Sequence, residues 1–95
     1  MRVDYSQRSI KALKRAPGNV KLKFRERFEL FLEDKFHPLL NNHALKGEYK
    51  GCRSINVTGD WRMIFREVNE DFTLIVDVGT HTSSFKTRQT ASFCN

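Results

Sequence analysis

The chain has 95 residues, of which 39% are hydrophobic, and we expect one domain over residues 1–95 with a packed core rather than a disordered chain. No apolar run approaches the roughly 18 residues of a membrane span, and the N-terminus has no apolar signal region, so we expect a cytoplasmic protein with no membrane partner. The formal net charge of +6 favours phosphate polyanions or an acidic protein partner, although many soluble domains are basic for solubility alone.

The N-terminal part of the chain predicts one short strand and two helices. Residues 2–5 alternate in polarity, and Ser6 is a suitable N-cap for a first helix that ends at Pro17 and Gly18. A second helix is predicted from near Asn19 to the proline that follows His37. The apolar residues at helical spacing in this second helix are Val20, Phe24, Phe28, Phe31 and Leu32. Because the helix has no other apolar face, we predict that this row of apolar side chains, with its phenylalanine rings, forms the core rather than a surface for stacking nucleic-acid bases.

The C-terminal part predicts an antiparallel meander. A loop over residues 41–51 precedes three runs rich in β-branched and aromatic residues, at 53–57, 61–68 and 72–78, which short turn-like breaks separate. The order of elements therefore predicts an α+β domain, in which two helices pack on one face of a mostly antiparallel sheet of about four strands.

The alternation of polar and apolar residues predicts which side chains share a face of the sheet. A two-residue turn at Asn69 and Glu70 brings one set of apolar positions under the helices. These positions are Ile55, Val57, Trp61, Met63, Phe65, Leu74, Val76 and Val78. The other side of the sheet, which we call the open face, then carries Ser54, Asn56, Arg62, Ile64, Arg66, Thr73, Ile75 and Asp77. In this register Arg62 lies directly opposite Asp77, and Trp61 belongs to the core.

The chemistry available to the chain is acid–base chemistry. No phosphate-binding loop, zinc spacing or nucleophile motif is present, and we expect neither a metal nor a cofactor. Imidazoles can take a proton from a ribose 2′-hydroxyl and give one to a leaving 5′-oxygen, and His43 and His81 flank the three strands. Cations can stabilise the extra charge that develops on phosphorus, and Arg62, Lys46 and Lys50 are candidates for this role.

Three motifs in the C-terminal half, HALKGEYKG, GDW and GTHTSSF, resemble the RelE/ParE superfamily of toxins from type II toxin–antitoxin modules. The chain is most similar to the YafQ-like branch of that superfamily. The resemblance implies a small α+β toxin that cuts mRNA at the ribosomal A site. It also implies an antitoxin partner that inhibits the toxin and brings it to operator DNA, and the net charge of +6 predicts an acidic contact region on that partner.

The resemblance also implies roles for individual residues. The family's functional positions in these motifs fall on His43, Asp60, Trp61, His81 and Phe85. Taking these positions together with the cationic and open-face residues chosen on chemistry and register, we predict as catalytic residues His43, His81, Arg62 and Asp60. The predicted substrate-binding residues are Lys46, Lys50, Arg53, Asn56, Arg66, Asp77 and Phe85.

Two positions depart from the family pattern. Asn56 stands where the pattern has a histidine, and Asp77 stands where it has an arginine two residues before the last glycine. Asparagine cannot carry protons, and aspartate repels a phosphate. Because the predicted register puts Arg62 opposite Asp77, we hypothesise that Arg62 replaces the missing arginine.

Two other functions stay open at this point. The chain can be a ParE-like inhibitor that binds DNA gyrase without catalysis, but such a protein has no need of His43 and His81. It can also be a decayed toxin that only binds antitoxin and operator DNA, and the departures at Asn56 and Asp77 keep this reading open.

Overall fold

A computed structural model describes residues 2–80 and contains two helices on a five-stranded mixed sheet. The helices are α1 (Gln7–Arg15) and α2 (Gly18–Glu33), and the strands are β1 (Arg2–Tyr5), β2 (His43–Ala44), β3 (Arg53–Asn56), β4 (Trp61–Asn69) and β5 (Phe72–Thr80). The strand order is β1-β5-β4-β3-β2, with β1 parallel to β5 and the other neighbours antiparallel. The predicted α+β class is confirmed. The fifth strand is β2, which lies in the predicted loop and is too short to show an alternation.

The start of α1 is fixed to the sheet by Ser6. Its side-chain oxygen accepts a hydrogen bond from the backbone N–H of Ser9 at 3.1 Å and donates to the carbonyl of Val76 at 2.6 Å. The backbone N–H of Ser6 also donates to the carbonyl of Ile75 at 2.9 Å. The predicted cap is therefore present, and it joins the helix to strand β5 as well.

The main core lies between the helices and the sheet. Along α2, Phe24 stacks on Phe28 and Phe28 on Phe31, and the ring of Phe31 meets the ring of Phe65 edge-on, with 4.8 Å between centroids. Phe31 and Phe65 are almost fully buried, at 1% and 0% exposed. The prediction that the α2 rings are core is confirmed, but Leu32, which was predicted to share their face, is 47% exposed. Trp61 packs against this core while part of its surface stays exposed.

The register of β3 with β4 agrees with the sequence prediction, and the register of β4 with β5 does not. Residues Glu70 and Asp71 form the turn, so that Asn69 pairs with Phe72 and its side chain accepts a hydrogen bond from the N–H of Asp71 at 2.8 Å. The predicted turn lay one residue earlier. The pairing also shifts by one residue between Glu67 and Asn69, and because side chains alternate along a strand, this shift exchanges the faces of the neighbouring β5 residues.

A β-bulge then restores the predicted orientation further along β5. Phe65 pairs with Ile75 and Ile64 with Asp77, so Val76 is the extra residue. Ile75 therefore belongs to the main core and Val76 to the opposite side, whereas Val78 packs under the helices as predicted. The predicted faces of Leu74, Ile75 and Val76 are wrong.

The open face is not uniformly polar, because a second apolar cluster covers part of it. Its buried members are Tyr49, Cys52, Ile64 and Val76, and Leu45 and Leu74 pack against them. Three of these residues come from the segment between β2 and β3, which folds over the sheet through a short 3-10 turn at Gly47–Tyr49. Within residues 2–80, neither helix is long and apolar enough to cross a membrane.

Candidate functional site

A cleft of about 380 Å³ opens beside the second apolar cluster, between the β2 segment and β4. Its lining residues are Asn41, His43, Leu45, Lys46, Tyr49, Ser54, Arg62 and Ile64. Three of them form a row across the sheet, because His43 pairs with Ser54 and Ser54 with Ile64. The cleft therefore combines an apolar floor with an imidazole and two cationic side chains, those of Lys46 and Arg62.

The ring of His43 is oriented by the backbone next to it. Asn41 adopts a left-handed conformation, with φ of 48°, at the end of the 3-10 turn Pro38–Leu40, and its carbonyl lies 2.8 Å from Nδ1 of His43. Asparagine tolerates this conformation better than most residues. Since a carbonyl oxygen can only accept, this contact assigns the proton of a neutral imidazole to Nδ1. Nε2 of His43 is then the nitrogen with a lone pair, as a general base requires.

Asn56 and Arg62 form a cross-strand pair beside the cleft. The two residues are directly opposite on β3 and β4, and the guanidinium of Arg62 donates to the side-chain oxygen of Asn56. The predicted pairing of Arg62 with Asp77 is wrong, because the β5 residue opposite Arg62 is Gly79. Arg62 nevertheless lies on the open face, as predicted, and it lines the cleft.

Asp77 pairs with an arginine from α1. Its Oδ2 atom is 3.2 Å from Nε of Arg8, and its Oδ1 accepts a hydrogen bond from the backbone N–H of Val78 at 2.9 Å. The contact with Arg8 is an ion pair without hydrogen-bond alignment, so Oδ2 has no well-directed donor in the part of the chain described. Burial raises the pKa of Asp77. The charge of Arg8, the hydrogen bond from the N–H of Val78 and the polar contact with the Arg8 side chain oppose this shift.

A second buried polar group lies in the wall of the cleft. Ser54 is 1% exposed, and among residues 2–80 no partner accepts from or donates to its hydroxyl. Its place on the open face is as predicted, but sequence reasoning gave no cause to single it out. Arg8 was not predicted as a site residue either, because the sequence at the start of α1 does not indicate which strand the Arg8 side chain contacts.

The remaining predicted site residues are not all brought to the cleft. Asp60 lies in the exposed turn before β4, where the hydroxyl of Thr58 accepts from its N–H at 3.3 Å. Arg53 instead donates to Asn42 at 2.7 Å, with its guanidinium 5.6 Å from the ring centre of Phe36. Its neighbour Ser54 lines the cleft, so the alternation along β3 directs Arg53 to the helix side.

Lys50 and Arg66 do not line the cleft, although Arg66 shares the open face with Arg62 by its position in β4. The predicted site residues His81 and Phe85 lie outside the residues that the structure describes. No set of three or more His, Cys, Asp or Glu side chains within residues 2–80 is placed to hold a metal ion.

Comparison with known proteins gives a family for this fold and cleft. The model of the family described as "Bacterial toxin of type II toxin-antitoxin system, YafQ" matches residues 2–86. The chain belongs to the YafQ toxin family. It is accordingly a toxin of a type II toxin–antitoxin system, in the YafQ-like branch of the RelE/ParE superfamily. The comparison with curated proteins gives no match.

Solved structures of related toxins share the fold. YafQ from E. coli strain BL21(DE3) is 22% identical, with a TM-score of 0.76 over 90% of this chain and 99% of that chain. A YoeB/ParE toxin from Agrobacterium tumefaciens is 18% identical, with a TM-score of 0.72 over 85% and 99% of the two chains. A metal-bound toxin from Helicobacter pylori is 25% identical, with a TM-score of 0.70 over 90% and 99%.

The two departures from the YafQ-like pattern share one property in this structure. Asn56 and Asp77, which the sequence analysis singled out as departures, contact Arg62 and Arg8 respectively. Each of these two residues therefore has an arginine side chain as its polar partner.

Proposed function

We propose that this toxin is an endoribonuclease that cuts mRNA at the ribosomal A site and so inhibits translation. The observation that carries the proposal is the cleft on the open face, where His43 lies together with Lys46 and Arg62. An oriented imidazole beside two cationic groups suits the cleavage of an RNA phosphodiester by its own 2′-hydroxyl better than it suits an apolar protein interface.

In the proposed reaction, Nε2 of His43 takes the proton of the 2′-hydroxyl. The 2′-oxygen then attacks phosphorus, the new P–O2′ bond forms, and the bond from phosphorus to the 5′-oxygen breaks. The leaving 5′-oxygen receives a proton from a second acid, a role that we assign to His81. The products are a 2′,3′-cyclic phosphate and a 5′-hydroxyl.

Arg62 and Lys46 are proposed to stabilise the charge on phosphorus in the transition state. Charge-assisted contacts of this kind are most effective when the donors are already oriented, and Asn56 provides such orientation for Arg62. Asp60, in the exposed turn at the start of β4, is proposed to contact the RNA there rather than inside the cleft.

The proposed partners are the ribosome with its mRNA and a cognate antitoxin. An E. coli YafQ crystallised as a DinJ–YafQ toxin–antitoxin complex is 24% identical to this chain, with a TM-score of 0.72, and this supports an antitoxin partner. A protein of net charge +6 is best neutralised by an acidic contact region. The antitoxin would also bring the toxin to operator DNA, and all of these encounters are proposed to occur in the cytoplasm.

The test uses purified toxin with ribosomes programmed by a defined mRNA, and maps the 5′ ends of the products. We expect cleavage by the wild type and a loss of about 10²-fold or more for His43→Ala. His37→Asn is the matched control, because His37 accepts a capping hydrogen bond from Leu39 N at 3.1 Å and asparagine can replace it there. An uncut mRNA together with inhibited DNA supercoiling by gyrase would instead support the non-catalytic ParE-like function.

A further inference from the structure

We propose that Asn42 and Arg53 are positioning residues for the imidazole of His43. They hold the turn whose backbone carbonyl, that of Asn41, lies 2.8 Å from Nδ1 of His43. The inference rests on the proposed ribonuclease function, in which His43 is the general base. It gives Arg53 a task beside the catalytic base, in place of the substrate contact that the sequence predicted.

Asn42 is tied to two other parts of the fold through its side chain. Its amide nitrogen donates to the backbone carbonyl of Lys35, just after α2, at 2.9 Å, and its amide oxygen accepts from Nε of Arg53, in β3, at 2.7 Å. Because a carbonyl only accepts and Nε only donates, the two contacts fix the orientation of the amide. They span 7 and 11 positions of the chain, so one side chain joins the residue before His43 to both elements.

The guanidinium of Arg53 is itself held on the helix side of the sheet. Its central carbon lies 5.6 Å from the ring centre of Phe36, within the range of a cation–π contact. Arg53 pairs with Ala44 across β2 and β3, and its neighbour Ser54 lines the cleft on the other side. The sheet therefore separates the positive charge of Arg53 from a phosphate bound in the cleft.

Apart from Asn42, short-range contacts hold the turn that carries the carbonyl. β2 has only two residues and is an edge strand of the sheet. Asn41 is exposed, and its φ of 48° is a left-handed backbone conformation that is uncommon for residues other than glycine. Its N–H donates to the carbonyl of Pro38 at 3.2 Å. The contact of Asn42 with Arg53 is therefore what keeps this conformation, and with it the carbonyl, in place.

The turn acts on catalysis through the proton of the imidazole. While the Asn41 carbonyl accepts from Nδ1 of His43, the lone pair stays on Nε2, the nitrogen assigned to take the 2′-hydroxyl proton. If the turn moves, the proton of the neutral ring distributes between the two nitrogens, and only a fraction of the molecules holds a competent base. The rate of cleavage then falls, whereas the affinity for RNA, which depends on the cationic groups of the cleft, is retained.

Two substitutions at Arg53 separate positioning from a contact made by its charge. Arg53→Gln removes the charge but keeps an N–H donor, since the amide nitrogen of glutamine is as many bonds from the backbone as Nε of arginine. Arg53→Met keeps a side chain of similar length and removes both the donor and the charge. The matched control is Arg15→Met, which removes one exposed positive charge from α1.

The measurement is the ring tautomer of His43, read by ¹⁵N NMR of the purified toxin at about pH 8.5, where an ordinary imidazole is neutral. The signals are assigned by their loss in His43→Ala. We expect a proton on Nδ1 in the wild type, in Arg53→Gln and in Arg15→Met, and a shift of the proton towards Nε2 in Arg53→Met and Asn42→Ala. In ribosome-dependent cleavage, the last two variants should lose about tenfold in maximal rate, a part of what a general base contributes, with KM changed by no more than about twofold.

An unchanged Nδ1–H signal in Arg53→Met would overturn the proposal. An Arg53→Gln protein that behaves like Arg53→Met overturns it as well, in favour of a role for the charge. Thermal unfolding checks that each variant is folded, and Asn42→Ala decides the question if Arg53→Met is not. Because the tautomer is read without RNA, the two proposals fail separately: a wild type whose tautomer depends on Arg53 but which never cuts mRNA refutes the ribonuclease function and not the positioning of His43.

Discussion

Asn56 and Arg62 should act as one unit in catalysis, because the asparagine holds the guanidinium at the cleft. We predict that Arg62→Ala lowers the rate of ribosome-dependent cleavage by about 10²–10³-fold, as expected for the loss of one oriented contact to the transition state. Arg66→Ala is the matched control, since Arg66 lies on the same face of β4 but outside the cleft.

The coupling between the two residues can be measured by a double-mutant cycle. If Asn56 acts only through Arg62, Asn56→Ala lowers the rate less than Arg62→Ala does, and the double variant is no slower than Arg62→Ala alone. Equal and small effects of the two arginine substitutions would instead make Arg62 an ordinary surface residue.

Asp77 should make the stability of the protein depend on pH. Burial raises the pKa of this carboxyl above its value in the unfolded chain, so in the pH range between the two values the folded protein binds more protons. The contribution of Asp77 to the free energy of unfolding therefore falls as the pH rises through that range. Removal of the ionisable group abolishes this contribution.

We predict that Asp77→Asn becomes more stable relative to the wild type as the pH increases from about 3 towards neutrality. The asparagine oxygen can still accept from the N–H of Val78, so the strand geometry is retained. Chemical denaturation of both proteins at a series of pH values measures the difference. A difference that is constant with pH, or that falls as the pH rises, contradicts the assignment.

At the scale of elements, α2 stabilises the fold through one row of aromatic rings that packs against the sheet. Phe31→Ala should lower the free energy of unfolding by about 3–5 kcal/mol, because it leaves a cavity against Phe65. Leu22→Ala on the same helix is the control, as Leu22 is 65% exposed and its loss should change the value by no more than about 0.5 kcal/mol. Urea unfolding curves report both values, and similar shifts for the two would show that the α2 row is not the core.

The strands show how far the sequence alone could predict this fold. Alternation placed Ile55 opposite Met63 and Asn56 opposite Arg62, because the two strands pair without irregularity. It failed in β5, where the irregularity between Glu67 and Asn69 and the bulge at Val76 each shift the register by one residue. Residues 74–76 are all aliphatic, so the polarity of this stretch cannot decide which of them faces the helices.

The site was predictable to a similar extent. His43, Lys46 and Arg62 were identified from residue type and motif, and the structure brings all three to one cleft. Arg8 and Ser54 were not identified, since their importance depends on contacts between elements distant in the chain. The pairing of Arg62 with Asp77 was predicted from the sequence and is wrong, because the sequence does not determine the register of β4 with β5.

At the scale of the whole molecule, β5 joins elements from the two ends of the described chain. It has β1 on one side and β4 on the other, and it supplies Ile75 and Val78 to the core shared with the helices. The hydrogen bond from Ser6 to Val76 spans 70 positions. Contacts of such long range form slowly, because the intervening chain must first be ordered.

This strand order has a consequence for the synthesis of the protein. A nascent chain exposes β1 and α1 first, and β5, which lies between β1 and β4, follows every other strand of residues 2–80, so the described sheet cannot close until residues up to Thr80 have been made. For a protein proposed to attack ribosomes, the ribosome that makes it is therefore exposed first to an incomplete sheet, and the complete described sheet forms only after residues up to Thr80 have emerged.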